Sequence, residues 1–225
     1  MKHCIVNFSN DYFVKGQERL VKSLQENNYQ GDIITFNHYE QVGSKTHQQV
    51  PYQFKVFAIE KARQMGYDIV LYCDASMFAI KDVMPVIHHI IERGYLMELC
   101  GFSAGQWATD MCLNEFEISR EEAFDISLYS AGFTGLNFQN SNSKLFFERW
   151  FHFASQEITF IGDWNNNNKQ CSQDERCLGH RHDQTVASIL SHIIGLEKIV
   201  PTYMQYIYTG TEIKEKTIFG CQGII

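Results

Sequence analysis

Apolar and polar positions along the chain keep two rhythms and switch between them in a regular order. Short, nearly continuous apolar runs at 3–8, 33–36, 68–73 and 95–99 read as strands buried on both faces of a sheet. Between them, apolar residues recur at helical spacing. Phe13, Leu20, Val21 and Leu24 form the first such face. It follows Ser9-Asn10-Asp11, any of which can cap a helix, and Asn27-Asn28 stops it. Phe54, Phe57, Ala58, Ala62 and Met65 form the second, with Pro51 suited to the first helical position and Gly66 to the carboxyl-terminal cap. Val86, Ile87, Ile90 and Ile91 form the third, between Asp82 and Gly94. The alternation predicts an α/β fold, a mainly parallel mixed sheet flanked by helices.

Past residue 100 the rhythm loosens. Residues 101–114, with Trp107, read as a loop or sheet edge. Ser119-Arg120-Glu121-Glu122 has the form of a capping box before a short helix. Residues 129–138 read as a strand punctuated by Gly132 and Gly135, and 143–156 as an aromatic-rich helix. A polar loop over 158–181 carries four consecutive asparagines, Asn165 to Asn168. His182-Asp183-Gln184 then opens a helix with Val186, Ile189, Leu190 and Ile193 on its apolar face. Residues 198–200 predict a last short strand, and the tail from Tyr203 carries no clear pattern.

Composition narrows the class. With 225 residues, 44% hydrophobic and 20% charged, the chain can bury a sizeable core, and three prolines argue against a long linker, so one domain over 1–225 is expected. A net charge of −7 disfavours coating of nucleic acid. No apolar run approaches the ~20 residues of a membrane span. The start, Met1-Lys2-His3-Cys4, turns polar too soon for a signal peptide. Seven cysteines, odd in number and irregular in spacing, then suggest reduced thiols and a cytoplasmic location.

Candidate chemistry begins at Asp68-Ile69-Val70-Leu71-Tyr72-Cys73-Asp74-Ala75-Ser76. A carboxylate at the carboxyl end of a buried strand sits at the rim where α/β sheets place their ligands. Asp74 there can hold a divalent metal or accept a hydrogen bond from a ribose hydroxyl, with Ser76 as a weaker oxygen ligand. The plain alternative is a cap for the following turn. Asp183, at the positive end of a helix dipole, can serve as a general base, orient a hydroxyl, or help hold a metal with His182; the alternative is an N-cap.

Asn7-Phe8-Ser9-Asn10 leaves the first strand where such sheets commonly touch a nucleotide. It lacks the Gly-x-Gly-x-x-Gly and Walker patterns and any glycine-rich basic loop, which argues against hydride transfer, P-loop hydrolysis and nucleotidyl transfer. Lys55 can offset the charge of a diphosphate, or be a solvated surface lysine. Cys171, Cys177, His180 and His182 share one loop and can form a zinc knot, although C-x5-C-x2-H-x-H is not a common zinc spacing. An oxidised chain would instead bridge Cys171 to Cys177. Trp107 and Trp164 can stack on sugar rings or serve the core.

Three of these stretches together resemble a GT-A glycosyltransferase, the nucleotide-diphospho-sugar transferase fold. Pro51-Tyr52-Gln53-Phe54-Lys55 followed by Tyr67 through Ser76 is similar to a lysine-bearing helix and a "yd-x-v-l-y-x-D-x-D" strand. Ser130-Ala131-Gly132-Phe133-Thr134-Gly135-Leu136-Asn137-Phe138 is similar to the "aG-x-x-g-l-n" strand beneath the donor sugar. His182-Asp183-Gln184-Thr185 is similar to an "HDQ" helix start, and the likeness runs from the first strand to about Leu196.

The resemblance implies one domain with a nucleotide-binding half over 1–100 and an acceptor-side half over 101–225. It implies transfer of a sugar from a nucleotide-diphospho-sugar, expected to be UDP-linked, to a hydroxyl acceptor, expected to be a glycan. Asp183 and Gln184 would be catalytic, and Asn7, Ser9, Lys55, Asp74, Ala75 and Ser76 would hold the donor. Asp74, Ser76 and His182 would hold Mn²⁺ or Mg²⁺ against the leaving diphosphate. The reaction inverts if Asp183 is the base, and a retaining route is equally open if it only orients. Ser76 stands where the family has its second aspartate. Three outcomes follow: an ion on the substituted set, weak metal dependence, or a non-catalytic sugar-nucleotide or glycan-binding module.

Overall fold

Ile69–Cys73 is buried at every position and takes the middle of the main sheet. In the computed structural model, which describes residues 1–223, the first half runs through β1 (His3–Phe8), α1 (Val14–Glu26), β2 (Asp32–Phe36), α2 (Tyr39–Val42), α3 (Gln53–Gln64), β3 (Ile69–Cys73), β4 (Met77–Ala79), α4 (Met84–Arg93) and β5 (Tyr95–Ser103). The chain continues through α5 (Asp110–Glu115), α6 (Arg120–Phe124), β6 (Ser127–Asn137), α7 (Ser141–Gln156), α8 (His182–Ile194), β7 (Met204–Tyr206) and β8 (Phe219–Cys221).

The main sheet has the order β2-β1-β3-β6-β5. β1 pairs in parallel with β2 and β3, while β6 is antiparallel to both β3 and β5. The sheet is therefore mainly parallel, as the alternation predicts, with β6 inserted from the second half. Neighbouring residues of each central strand point to opposite faces. Val6, Val70 and Tyr72 enter one core with Trp150, Phe160 and Ile189, whereas Ile5, Leu71 and Cys73 enter the other with Leu20 and Ile87. Burying one such large apolar side chain contributes about 1.5–3 kcal/mol. This fixes the register, because a shift of one residue would exchange the two faces.

Several local expectations are corrected. α3 begins at Gln53, because Tyr52 adopts a left-handed conformation (φ 60°) and leaves Pro51 in the preceding turn. Asp82 lies ahead of α4, where its Oδ1 accepts the Met84 N–H at 3.0 Å. Residues 101–114, read as a loop or sheet edge, begin in the edge strand β5, which extends to Ser103, and add a short helix, α5, that Thr109 caps by accepting the Cys112 N–H. The strand expected at 198–200 is a single bridge between Ile199 and Glu98. Beyond it the chain turns to wrap the Glu98 side chain. That buried carboxylate accepts main-chain N–H groups from Thr202 at 3.1 Å, Tyr203 at 2.6 Å and Met204 at 3.2 Å. The anchored tail forms a second sheet of order β4-β8-β7.

The polar loop over 158–181 holds two short 3-10 turns and is pinned by one of its asparagines. Asn166 Oδ1 accepts the Cys171 and Ser172 N–H groups, and its Nδ2 donates to the Ser172 and Cys177 carbonyls.

Candidate active site

The end of β3 delivers Asp74 to a cavity of about 410 Å³. The Asp74 N–H donates to the Gly132 carbonyl at 2.8 Å, which ties the rim to β6. A Cβ at Gly132 would fall on Asp74 Oδ2, so a glycine is what lets the carboxylate occupy this place. From α3, Lys55 Nζ lies 3.1 Å from each Asp74 oxygen and 3.5 Å from Asp183 Oδ2. The Lys55 and Asp183 side chains are 6% and 4% exposed, and that of Asp74 is 34% exposed. The Tyr52 ring centroid lies 4.8 Å from Lys55 Nζ.

Two backbone positions beside this cluster are left-handed, Tyr52 at φ 60° and His182 at φ 46°. Such conformations cost about 1–3 kcal/mol each in a non-glycine residue and concentrate at functional sites. Asp183 follows in the first turn of α8, where the helix dipole favours a negative charge.

Burial pushes the Asp183 carboxyl up to about 6, with Lys55 opposing and Asp74 adding to the rise. Burial alone would depress the Lys55 ammonium, but Asp183 and then Asp74 more than offset it and hold it above its usual value. Asp183 Oδ2 is buried and has no hydrogen-bond partner among the described residues. Its closest charged neighbour is the Lys55 ammonium, at an ion-pair distance of 3.5 Å. Gln184 Nε2 donates to the Tyr129 carbonyl at 2.8 Å while the residue lines the cavity. Arg181, also on the wall, is clasped between Trp107 and Trp164, with its guanidinium carbon 3.4 and 3.6 Å from the two ring centroids.

Of the residues singled out from sequence, Lys55, Asp74, Ser76, Asp183 and Gln184 line this one cavity. Asn7 supports it from behind, donating to the Cys73 carbonyl at 2.7 Å and accepting from Gln17. Ala75 is buried against Gly16. Ser9 belongs to a second cavity of about 530 Å³ with Phe8, Tyr39, His47 and Phe54, and Tyr52 is common to both cavities.

His182 is not among the lining residues. Its Nδ1 meets the Phe160 carbonyl oxygen at 2.9 Å, and burial holds its imidazole low, at about 3. Ser76 Oγ sits 3.4 Å from Cys221 Sγ of β8. Among the described residues, no three His, Cys, Asp or Glu side chains are grouped to hold a metal ion. Of the set expected to hold an ion, Asp74 and Ser76 line the cavity, while His182 is turned to the Phe160 carbonyl.

Cys171 and His180, open in sequence between zinc-knot and ordinary loop residues, each have a polar atom on a main-chain carbonyl. Cys171 Sγ donates to the Asp163 carbonyl, and His180 Nε2 meets the Thr159 carbonyl. Cys171 and Cys177 are free thiols, so no bridge joins them.

Sequence reasoning missed Tyr52, Arg181 and the tail residues Met204, Tyr206, Tyr208 and Cys221, all of which line the cavity. Arg181 had a signal in its place beside His182-Asp183-Gln184. The three-residue strands of the tail had none.

No family model matches the chain, and no curated protein matches it. Solved structures do. Mouse xyloside xylosyltransferase 1, in its apo form, overlays with a TM-score of 0.55 at 7% identity, over 98% of this chain and 97% of that one. The bifunctional glycosyltransferase WbbM, also apo, overlays with a TM-score of 0.56 at 8% identity, over 98% of this chain and 45% of WbbM. GlyE, a glycosyltransferase of Streptococcus pneumoniae TIGR4, overlays at 0.45 with 15% identity over 88% of this chain and 45% of GlyE. At such identities the likeness concerns the path of the backbone alone. The chain has the GT-A-like α/β fold of solved glycosyltransferases.

Proposed function

We propose that the chain transfers a sugar from a nucleotide-diphospho-sugar, UDP-linked, to a hydroxyl of an acceptor glycan. The observation that carries this reading is the convergence of Asp74, Asp183 and Lys55 from three elements on one cavity, with the ammonium between the two carboxylates. Such a buried cluster of charges of both signs at a cavity wall is suited to polar ligands with hydroxyl and phosphate groups.

In this reading the nucleobase enters the aromatic cavity. There the Phe8 ring lies 4.5 Å from that of Phe54 and 5.1 Å from that of Tyr39. Stacking of a base on such rings contributes about 1–3 kcal/mol. Tyr52 joins that cavity to the next, which sets the diphosphate beside Lys55. Asp74, the more exposed carboxylate, accepts from a hydroxyl of the ribose or the sugar. Asp183, with its carboxyl at about 6, is ionised at neutral pH and accepts the proton of the incoming hydroxyl as the new bond forms. Trp164, Tyr206 and Tyr208 are exposed at the mouth and offer faces to acceptor sugar rings.

The test is nucleotide release from a panel of nucleotide sugars with glycan acceptors, alongside calorimetric binding of UDP. Release that depends on Asp183 is expected. If no donor is turned over and none binds, the reading is refuted. UDP binding without turnover would favour a non-catalytic module instead, a reading that Ser76 in the place of an aspartate supports.

A further inference from the structure

Lys55 occupies a place that a solvated lysine does not take. Its ammonium is held by both oxygens of Asp74 and faces Asp183, and its stem runs past the Tyr52 and Tyr72 rings. An ion coordinated by Asp74 at about 2.1 Å would lie within roughly 4.5 Å of that ammonium. The ammonium repels a divalent cation at that range and so competes with it for the Asp74 carboxylate. Residue 76 offers such an ion a hydroxyl in place of a second carboxylate, and that hydroxyl faces Cys221 Sγ.

We infer that the Lys55 ammonium is the fixed cation of this site, so that the chain binds a nucleoside diphosphate without Mn²⁺ or Mg²⁺. The inference rests on the proposed function. The two carboxylates hold the ammonium in its charged form. Arg181 adds a second positive group on the same cavity and makes no ion pair among the described residues, so its charge is available to the ligand. With its hydrogens directed to Asp74 and Asp183, the lysine acts on a phosphate group in the cavity through its charge rather than as a free donor.

The test is calorimetric titration of UDP into the metal-stripped protein, in EDTA and again in excess Mn²⁺. The same dissociation constant within about twofold is expected in both. Lys55→Met is expected to weaken UDP by about tenfold or more, with Lys55→Arg retaining most of the affinity. Binding that vanishes in EDTA and returns with Mn²⁺ overturns the inference and leaves the proposed function standing. UDP that binds under neither condition overturns both. Should Lys55→Met fail to fold, the comparison in EDTA and Mn²⁺ on the unaltered chain still decides. A folded Lys55→Met protein that binds UDP undiminished also overturns it.

Discussion

Asp183→Asn removes a buried charge and keeps the shape of the side chain. The folded protein holds this carboxyl at about 6, against an ordinary value of 3.8. Between those two values the folded state binds a proton that the unfolded chain has released. Stability is therefore lost as pH rises through that window, and it stays lost above it. A shift of about two units corresponds to about 3 kcal/mol. Asparagine has no proton to lose, and Lys55 keeps Asp74 as its partner. The variant is expected to match the unaltered protein near about pH 4 and to exceed it by up to about 3 kcal/mol above about pH 6.5. For a chain of this length the gap in Tm opens to roughly 6–12 °C. Thermal unfolding of both proteins followed by circular dichroism from about pH 4 to 8 measures it. His180 and His182, held low by burial at about 4 and about 3, titrate in both proteins, so the difference isolates Asp183. Transfer activity is expected to fall by about 10²–10⁴-fold in the same variant. A Tm gap that stays constant with pH, or a variant less stable at neutral pH, would refute the reasoning.

Gly132→Ala places a methyl group on the Asp74 carboxylate. UDP affinity is expected to fall by about tenfold and stability by about 1–3 kcal/mol, read by calorimetry and urea unfolding; no change in either would sink the close-approach argument. Glu98→Gln leaves one oxygen and an amide group facing three main-chain N–H donors of the tail. A loss of about 1–3 kcal/mol is expected, with faster hydrogen exchange across 202–208 by mass spectrometry; exchange as slow as in the unaltered chain would show that the tail is held by other contacts.

Much of the sheet was legible because its strands are buried on both faces, so their apolar runs stand out from the helices between them. The course of β6 was not. Its run was visible, but its place between β3 and β5 depends on pairings over long sequence separation that no local pattern records. The chemistry divides in the same way. Asp74 and Asp183 stood out as carboxylates at element ends, where α/β folds gather ligands, and both line the cavity. His182 shared a motif with Asp183, yet the left-handed turn that starts α8 accompanies an imidazole bonded to Phe160. Lys55 was open in sequence between a diphosphate partner and a solvated lysine, because a single lysine in a first helical turn carries no signal of burial. Only the fold reveals that both of its partners come from distant elements. The tail escaped notice because strands of three residues are too short to carry a period.

The insertion of β6 between β3 and β5 also bears on synthesis. β3 leaves the ribosome with one edge covered by β1, and its other edge waits for Phe133 and Leu136 to emerge. At about 5–20 residues per second that delay is roughly 3–12 s, with an unpaired apolar edge exposed. A fragment covering residues 1–100 is thus a half-sheet with an open edge, prone to self-association, and the ligand cavity comes into being only when the latest-made segments close over the earliest.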